Sequence, residues 1–486
     1  MMRLSPKSSP TDGATWPTYD PQALDAGILH LGLGAFARAH MAAYTDAALT
    51  QTPSDWRIVG VSLRGTEVAE AINQQNGYYT LIERGQKSCA RVIGSVRQVL
   101  AGPSVGAEAL SFMTERNCGI VSITVTEKGY GLLRSGGCDL NHPAVKADLA
   151  KPDQPRGVLG LIALGLKRRF ELGLPPFTVL SCDNLPDNGA LLRAAVIDFA
   201  ARAHGLELAD RIAQQIAFPA TMVDRITPQP TERTRAHAAQ ATSCNDSAAI
   251  ETEPFSQWVI EDHFPTGRPA WEAMGATFTK DVQPFEKMKL RMLNGSHSML
   301  AYAGFLSCKT YVRDVMADTA LNKLVRRHLC SAAQTLPKMD TDLEAYSQAL
   351  VSRFTNPAIA HETRQIAMDG TEKMPQRIFT PAVELLEKGG NTAPFAFATA
   401  AWMRYGLGRH ENGQPYPLND PRGEEITTAL TKAKSASDIF AAYTSLNALL
   451  PPMLKQGLFA EQVIVRLDQM LADGMLSAIQ HEVETC

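Results

Sequence analysis

The sequence lacks any apolar run that approaches the roughly 20 residues needed to span a bilayer. Its opening stretch, MMRLSPKSSPTDGATWPTYD, also lacks the apolar core of a signal peptide, so we interpret residues 1–26 as a loose polar lead-in. The net charge is only −3, because the chain has 47 Lys and Arg residues and 50 Asp and Glu residues. These absences give no support to a membrane protein, and no electrostatic support to binding of nucleic acid.

Cysteine is sparse and unpatterned. The eight cysteines form no CxxC pair, and no Cys/His cluster has the spacing of a zinc site. We therefore expect reduced thiols and a cytoplasmic protein.

Short apolar runs alternate with helical patterns in the first half of the chain. GILHLGLGAF, WRIVGVSL, ARVIGSV, CGIVSITVTE and FTVLSCDN have the composition of strands. The segments between them, such as VLGLIALGLKRRFELG, have that of helices. This alternation predicts an α/β domain with a doubly wound parallel sheet over residues 27–284.

The second half differs, because helical patterns dominate from about residue 285. KMKLRMLNGSHSMLAYAGF and AEQVIVRLDQMLADGMLSAI are two of these predicted helices. We therefore predict a mainly α-helical C-terminal domain over residues 285–486.

A glycine turn, HLGLGAFARAH, follows the first predicted strand. Gly32 and Gly34 would let the backbone approach a pyrophosphate, as in a Rossmann-like dinucleotide-binding domain. Ala37 stands where the third glycine of GxGxxG is expected, and Arg38 could pair with a phosphate oxygen instead. A glycine turn without a ligand is the alternative.

The end of the second strand, VGVSLRGTE, bears on cofactor choice. An NAD site usually has an acid here, whereas an arginine accommodates a 2′-phosphate. This chain offers Ser62 and Arg64, with Glu67 further on. We expect NAD, with NADP as the open alternative, and Arg64 could also be a solvated loop residue.

Polar residues interrupt the apolar pattern of KLRMLNGSHSML. In an α-helix, with Lys289 at zero, His297 falls near ~80° and Asn294 near ~140°, so the three share one side. Leucines on that side would desolvate Lys289 and favour the neutral amine of a general base. Asn294 could donate to an oxygen that gains negative charge, and His297 could hold a hydroxyl. Alternatively, the Lys289 side chain extends toward solvent, and Asn294 and His297 form hydrogen bonds with neighbouring residues. We expect Lys287 to be exposed to solvent.

Six motifs occur in an order that strongly resembles one family. They are GLGAFARAH, TVTEKGYG, SCDNLPDNG, FPATMVDRITP, QWVIEDHF and FEKMKLRMLNGSHSMLAYAG. The chain resembles the polyol-specific long-chain dehydrogenases, the mannitol 2-dehydrogenase and fructuronate reductase family. The resemblance runs from about residue 27 to beyond residue 400.

The resemblance implies a role for each polar residue. Lys289 matches the general base that takes the alcohol proton, and Asn184 and Asn294 match the amides that steady the substrate oxygen. His297 matches the polyol contact, and Glu286 a residue that relays or gates the proton. No metal is expected, because the lysine and the asparagines do the work that zinc does in other alcohol dehydrogenases.

The same resemblance places Asp224 beside the nicotinamide and the substrate. Ala37 departs from the histidine usual in the family's glycine turn. The predicted cofactor-binding residues are Gly32, Gly34, Phe36, Arg38, Ser62, Arg64, Thr126, Glu127 and Val223.

Family members act on neutral polyols or on the mannonate and fructuronate pair, whose carboxylate needs a cation. Arg364, Lys373 and Arg377 lie in the segment that the resemblance assigns to the substrate, with Lys373 the best match. The sequence favours D-mannonate and D-fructuronate, with mannitol or arabinitol as the alternative. Arg364 and Arg377 could instead form surface ion pairs.

A different class of function is a nucleotide-binding sensor that has lost its chemistry. Such a protein would have no reason to keep Lys289, Asn184, Asn294 and His297 together, so the sequence favours the enzyme. The family resemblance favours a monomer, with a dimer as the alternative.

Overall fold

The computed structural model of the protein describes residues 1–484. The chain forms two compact units, Met1–Gln283 (unit 1) and Pro284–Cys486 (unit 2). Within residues 1–484 no helix has the length and apolar character that a membrane span requires.

The main sheet of unit 1 is parallel, with the strand order β5-β2-β1-β6-β7. Every residue of β1, β2, β6 and β7 is buried, as expected for strands covered by helices on both faces. Strand order reverses at β1, which confirms the predicted Rossmann-like fold. The five strands are β1 (Ala26–Leu31), β2 (Arg57–Val61), β5 (Val96–Leu100), β6 (Ile120–Ile123) and β7 (Thr178–Ser181).

Two small mixed sheets, ordered β4-β3-β9 and β11-β10-β8, complete unit 1 and were not predicted. The run ARVIGSV, predicted as one strand, contributes to two sheets. Gly94 and Ser95 divide it, because Gly94 N–H donates to Asp46 and Ser95 Oγ donates to the Ala42 carbonyl. The additional strands are β3 (Tyr79–Glu83), β4 (Cys89–Ile93), β8 (Thr221–Asp224), β9 (Ile250–Thr252), β10 (Gln257–Glu261) and β11 (Thr277–Thr279).

Helices cover both faces of the parallel sheet. Alternation along β1 sends Leu29 and Leu31 into the hydrophobic cluster that contains α7 and α8, and Ile28 into the cluster that contains α2. The helices of unit 1 are α1 (Ala35–Ala39), α2 (Met41–Gln51), α3 (Glu67–Asn73), α4 (Val105–Met113), α5 (Glu127–Tyr130), α6 (Pro143–Ala150), α7 (Val158–Glu171), α8 (Asn188–His204), α9 (Leu206–Gln215) and α10 (Glu232–Thr242), with 3-10 turns at Pro21–Ala23 and Trp271–Met274.

The N-terminal lead-in is packed rather than loose, which corrects the prediction. Leu4 is fully buried in a cluster with Tyr78, Val92 and Cys244. Its N–H donates to the Asn245 carbonyl at 3.0 Å. An apolar side chain and a backbone hydrogen bond therefore hold this polar stretch on unit 1.

Unit 2 is helical throughout its described residues, as predicted. Its last predicted helix is broken at Gly474, whose φ of +83° ends α22. The α-helices are α11 (Gln283–Met288), α12 (Gly295–Leu306), α13 (Val312–Ala317), α14 (Thr319–Ala333), α15 (Leu343–Phe354), α16 (Thr363–Ile366), α17 (Gly370–Met374), α18 (Thr380–Glu387), α19 (Ala393–Tyr405), α20 (Gly423–Leu430), α21 (Ala436–Ser445), α22 (Gly457–Ala472) and α23 (Gly474–Glu484), with a 3-10 turn at Pro452–Leu454.

Two π-helical segments interrupt the α-helices of unit 2. The first π segment, Lys289–Asn294, separates α11 from α12, and the second, Pro375–Phe379, separates α17 from α18. The predicted continuous α-helix over KMKLRMLNGSHSMLAYAGF is therefore wrong. Helix α19, buried along its whole length, forms the centre of the unit.

Candidate active site

A cavity of about 440 Å³ lies where β1 and β6 end in unit 1. Its walls include the glycine turn, residues 62–64 after β2, residues 124–126 after β6, and the start of α7 at residues 156–158. This is the switch point of the sheet, where doubly wound folds bind ligands. The volume falls within the usual range of small-molecule and cofactor sites, ~300–1,000 Å³.

The two glycines of the turn serve different purposes. Gly32 has φ +93°, and a Cβ there would lie 2.1 Å from the Thr124 carbonyl oxygen, so only glycine fits. A Cβ on Gly34 would meet no heavy atom nearer than 3.9 Å, so this backbone faces open space. A bare backbone at the wall of a cavity fits the pyrophosphate of a dinucleotide.

The predicted cofactor residues separate into two groups. Gly32, Gly34, Ser62, Arg64 and Thr126 line the cavity. Glu127 instead pairs with Arg134 at 2.8 Å, Phe36 stacks on His40 at 5.1 Å between ring centroids, and Val223 is buried in the core. The cofactor roles of all these residues remain predictions.

Arg38 has a different partner from the predicted phosphate. The side chain is buried, and its Nη1 donates to the Ala248 carbonyl at 2.6 Å. Its Nε donates to the Gly34 carbonyl at 3.3 Å. In this structure the guanidinium braces the glycine turn from within the protein, and a contact between Arg38 and a phosphate remains a prediction.

Sequence reasoning missed two cations at the cavity. Lys128 and Arg156 line it together with Arg64 and His142. These side chains suit a ligand that carries phosphate groups. In the sequence, Lys128 and Arg156 were marked only by lying close to the ends of predicted strands and helices.

Three of the predicted site residues of unit 2 lie on and beside the first π segment. Lys289 and His297 are buried, at 8% and 9% exposure, and Asn294 is half-buried. A π-helix is built on i→i+5 hydrogen bonds, so Asn294 lies nearly one turn above Lys289. The α-helical separation of ~140° is therefore wrong for this pair, and the two are closer to one face than predicted. Lys287 is exposed, as predicted.

Tertiary contacts hold the first π segment. Arg291 is buried, and its two terminal nitrogens donate to the Glu384 carboxylate at 2.6 and 2.7 Å. Arg377 of the second π segment also contacts this region. Its Nη1 donates to the Asn294 carbonyl at 3.4 Å and to Ser298 Oγ at 3.2 Å. π-helical turns frequently mark functional sites.

His297 lies among rings and cations. Its ring centroid is 4.7 Å from that of Phe354 and 5.4 Å from that of His361. Burial, with His361, Arg353 and Arg377 nearby, holds the pKa of His297 well below its usual range. The imidazole is therefore neutral at physiological pH and offers one donor and one acceptor.

The predicted cations of unit 2 have different environments. Lys373 Nζ donates to the Met368 carbonyl at 2.6 Å and lies 3.5 Å from Asp369. Burial and the charge of Arg377 lower the pKa of Lys373. Arg364 is exposed, and its charge acts on Tyr405. The structure thus brings Lys373 and Arg377 together, whereas the substrate role of Arg364 remains a prediction.

Three further predicted residues are placed as follows. Asn184 is exposed in the loop after β7, and Asp224 is buried at the end of β8. Glu286 is half-buried on α11. Their roles remain predictions.

Possible metal ligands are dispersed. Residues 1–484 contain no group of three or more His, Cys, Asp or Glu side chains arranged to hold a metal ion. The seven cysteines in this part of the chain are all unpaired.

The sheet and cavity of unit 1 have the form of a dinucleotide-binding domain, to which unit 2 adds a helical domain. Residues 26–273 match the Mannitol dehydrogenase Rossmann domain, and residues 281–470 match the Mannitol dehydrogenase C-terminal domain. The chain belongs to the mannitol dehydrogenase family, which confirms the resemblance seen in its motifs.

Individual relatives carry two different substrate names. D-mannonate oxidoreductase of Escherichia coli (strain K12) is 44% identical over 413 residues, which cover 83% of this chain and 85% of that protein. Mannitol 2-dehydrogenase of Phaeosphaeria nodorum is 39% identical over 489 residues, which cover 98% of this chain and 85% of that protein. The solved ternary complex of Pseudomonas fluorescens mannitol 2-dehydrogenase with NAD and D-mannitol is 33% identical, with a TM-score of 0.80 and 100% coverage of both chains.

Proposed function

We propose that the chain catalyses reversible hydride transfer between NAD(H) and the secondary alcohol of a sugar acid, with D-mannonate and D-fructuronate as the favoured pair. The reaction proceeds without a metal, with Lys289 as general base. The name of the Escherichia coli relative supports the substrate, and the NAD complex of the Pseudomonas fluorescens relative supports the cofactor. A monomeric state and a cytoplasmic location remain predictions.

The cations around His297 are the observation that supports a sugar acid as the substrate. The charges of Arg353 and Arg377 both act on His297, and those of Arg353 and Lys373 act on His361. Asp369, 3.5 Å from Lys373, offsets part of this positive charge, and the three cations together would stabilise a further anion placed among them. A substrate carboxylate is such an anion, and arginine binds it with two parallel hydrogen bonds.

Each proposed catalytic group acts at a stated atom. Bound nicotinamide accepts the hydride of the alcohol carbon. Lys289 is buried, and its Nζ takes the hydroxyl proton. The side-chain amides of Asn184 and Asn294 donate to the oxygen as it gains negative charge. The neutral ring of His297 holds a further hydroxyl, and Glu286 passes the proton onward.

A substrate panel tests the proposal. NADH and NADPH oxidation is followed with fructuronate, tagaturonate, fructose and xylulose. We expect the highest kcat/KM with fructuronate and NADH. Preference for fructose would favour the alternative, a mannitol dehydrogenase, which the names of the Phaeosphaeria and Pseudomonas relatives support. A folded protein that binds NADH and reduces none of the four would be the silent nucleotide-binding sensor instead.

A variant tests the cation group directly. Arg377→Met should lower kcat/KM for fructuronate about tenfold more than for fructose, because only the former carries a carboxylate. Arg326→Met is the matched control, since Arg326 is exposed on α14 and contacts Asn322. Equal losses for both substrates in Arg377→Met would contradict carboxylate binding at this group.

A further inference from the structure

Thr126, at the wall of the cavity, has a backbone conformation that glycine alone adopts easily. Its φ is +64° and its ψ is 158°. A β-branched side chain makes this region still less favourable. Such a conformation persists only where neighbouring groups hold it, and strained residues of this kind cluster at functional sites.

The carboxylate of Asp183 supplies the restraint. Its Oδ2 accepts a hydrogen bond from the Val125 N–H at 2.7 Å, and its Oδ1 accepts one from the Thr126 N–H at 3.2 Å. The two segments leave the sheet side by side, because Ile123 of β6 pairs with Ser181 of β7. One charged side chain thus holds two consecutive N–H groups, that of the strained residue and that of the residue before it.

Further contacts keep Asp183 in place as an acceptor. Burial raises the pKa of Asp183, and the opposing hydrogen bonds from Val125, Tyr130 and Thr126 favour its ionised form. Tyr130 is buried, with its hydroxyl 2.7 Å from Ser181 Oγ.

The other end of the same segment is attached to the glycine turn. Thr124 Oγ1 donates to the Gly32 carbonyl at 2.8 Å and lies 2.8 Å from His30 Nε2. Residues 124–126 therefore connect the glycine turn to Asp183. Asp183 is followed directly by Asn184, which the proposed function assigns to the substrate oxygen.

We propose that Asp183 is a positioning residue, which holds Thr126 in its strained conformation at the cofactor cavity and thereby fixes the loop that carries Asn184. The inference rests on the proposed function for the role of Asn184, but not for the restraint on Thr126. The Asp183 carboxylate would then position both the cavity wall at Thr126 and the side-chain amide of Asn184. Loss of Asp183 should weaken cofactor binding and lower kcat at the same time.

The test compares Asp183→Asn with the double variant Asp183→Asn/Thr126→Gly. Asparagine keeps the size of the side chain but loses one acceptor oxygen and the charge. Glycine at residue 126 adopts the observed φ and ψ without strain. NADH binding is titrated by fluorescence on the full chain without substrate, and kcat and KM for fructuronate are measured separately.

We expect Asp183→Asn to raise the Kd for NADH about tenfold and to lower kcat. The double variant should regain at least half of the loss in binding on a logarithmic scale. The control Asp198→Asn should leave the Kd within about twofold, since that carboxylate accepts the Cys138 N–H away from the cavity.

Two outcomes overturn the inference: wild-type NADH affinity in Asp183→Asn, or a double variant that binds as weakly as the single one. If Asp183→Asn does not fold, the double variant decides, since folding with NADH binding supports the inference and failure to fold overturns it. A wild-type protein that binds NADH but reduces no substrate would refute the proposed function and leave the titrations valid.

Discussion

The proposed cofactor cavity of unit 1 and the proposed substrate residues of unit 2 are built in different ways. The cavity depends on backbone, with Gly32 fitted against the Thr124 carbonyl and Gly34 facing open space. The substrate residues are side chains on and beside a π-helix that an Arg291–Glu384 pair holds. A backbone site is encoded locally by glycines, whereas a π-helical site requires partners distant in sequence.

The largest expected effect separates the chemistry of unit 2 from the binding in unit 1. Lys289→Ala should lower kcat by about 10²–10⁴-fold, because the general base is lost, while the Kd for NADH stays near the wild-type value. Lys287→Ala is the matched control, since Lys287 lies two residues earlier and is exposed. Steady-state kinetics and NADH titration measure both. Near-normal turnover of Lys289→Ala at neutral pH would make the general-base assignment wrong.

The same contrast explains how far the sequence could predict the molecule. The parallel sheet and Gly32 were predictable, because strand composition and glycine spacing are local signals. The π-helical geometry of Lys289 and Asn294 was not, since an i→i+5 turn has no residue pattern of its own and is stabilised here by packing. Arg353 and His361 were missed for a related reason, because only the fold brings them to His297.

A pair of glycine substitutions sharpens the comparison within unit 1. Gly32→Ala should destabilise the fold by about 1–3 kcal/mol, because φ is +93° and the new Cβ would lie 2.1 Å from the Thr124 oxygen. Gly34→Ala should leave the melting temperature unchanged but raise the Kd for NADH about tenfold, since its Cβ would project into open space needed by the pyrophosphate. Thermal melts and fluorescence titrations measure the two effects. If Gly34→Ala binds NADH normally, the glycine turn does not contact the pyrophosphate.

A pH-dependent effect tests the packing of unit 2 beneath the first π segment. His328 Nε2 lies 3.1 Å from the position of a Cβ on Gly295, the residue after Asn294. Burial lowers the pKa of His328 from 6.5 to about 4. Between these values the unfolded chain binds a proton that the folded chain does not, so folding stability falls as pH falls. One such group contributes a slope of about 1.4 kcal/mol per pH unit.

The free energy of unfolding should therefore fall less steeply with acidification in His328→Leu than in the wild type, by about 1.4 kcal/mol per pH unit between pH 6.5 and 4. Urea unfolding at a series of pH values measures the difference. The difference between variant and wild type should be constant above about pH 7.5, where the histidine is neutral in both states. That plateau serves as the internal control, because it contains only the packing change. Parallel curves across the whole range would mean that His328 ionises alike in the folded and unfolded chain. Its burial beneath the first π segment would then be wrong.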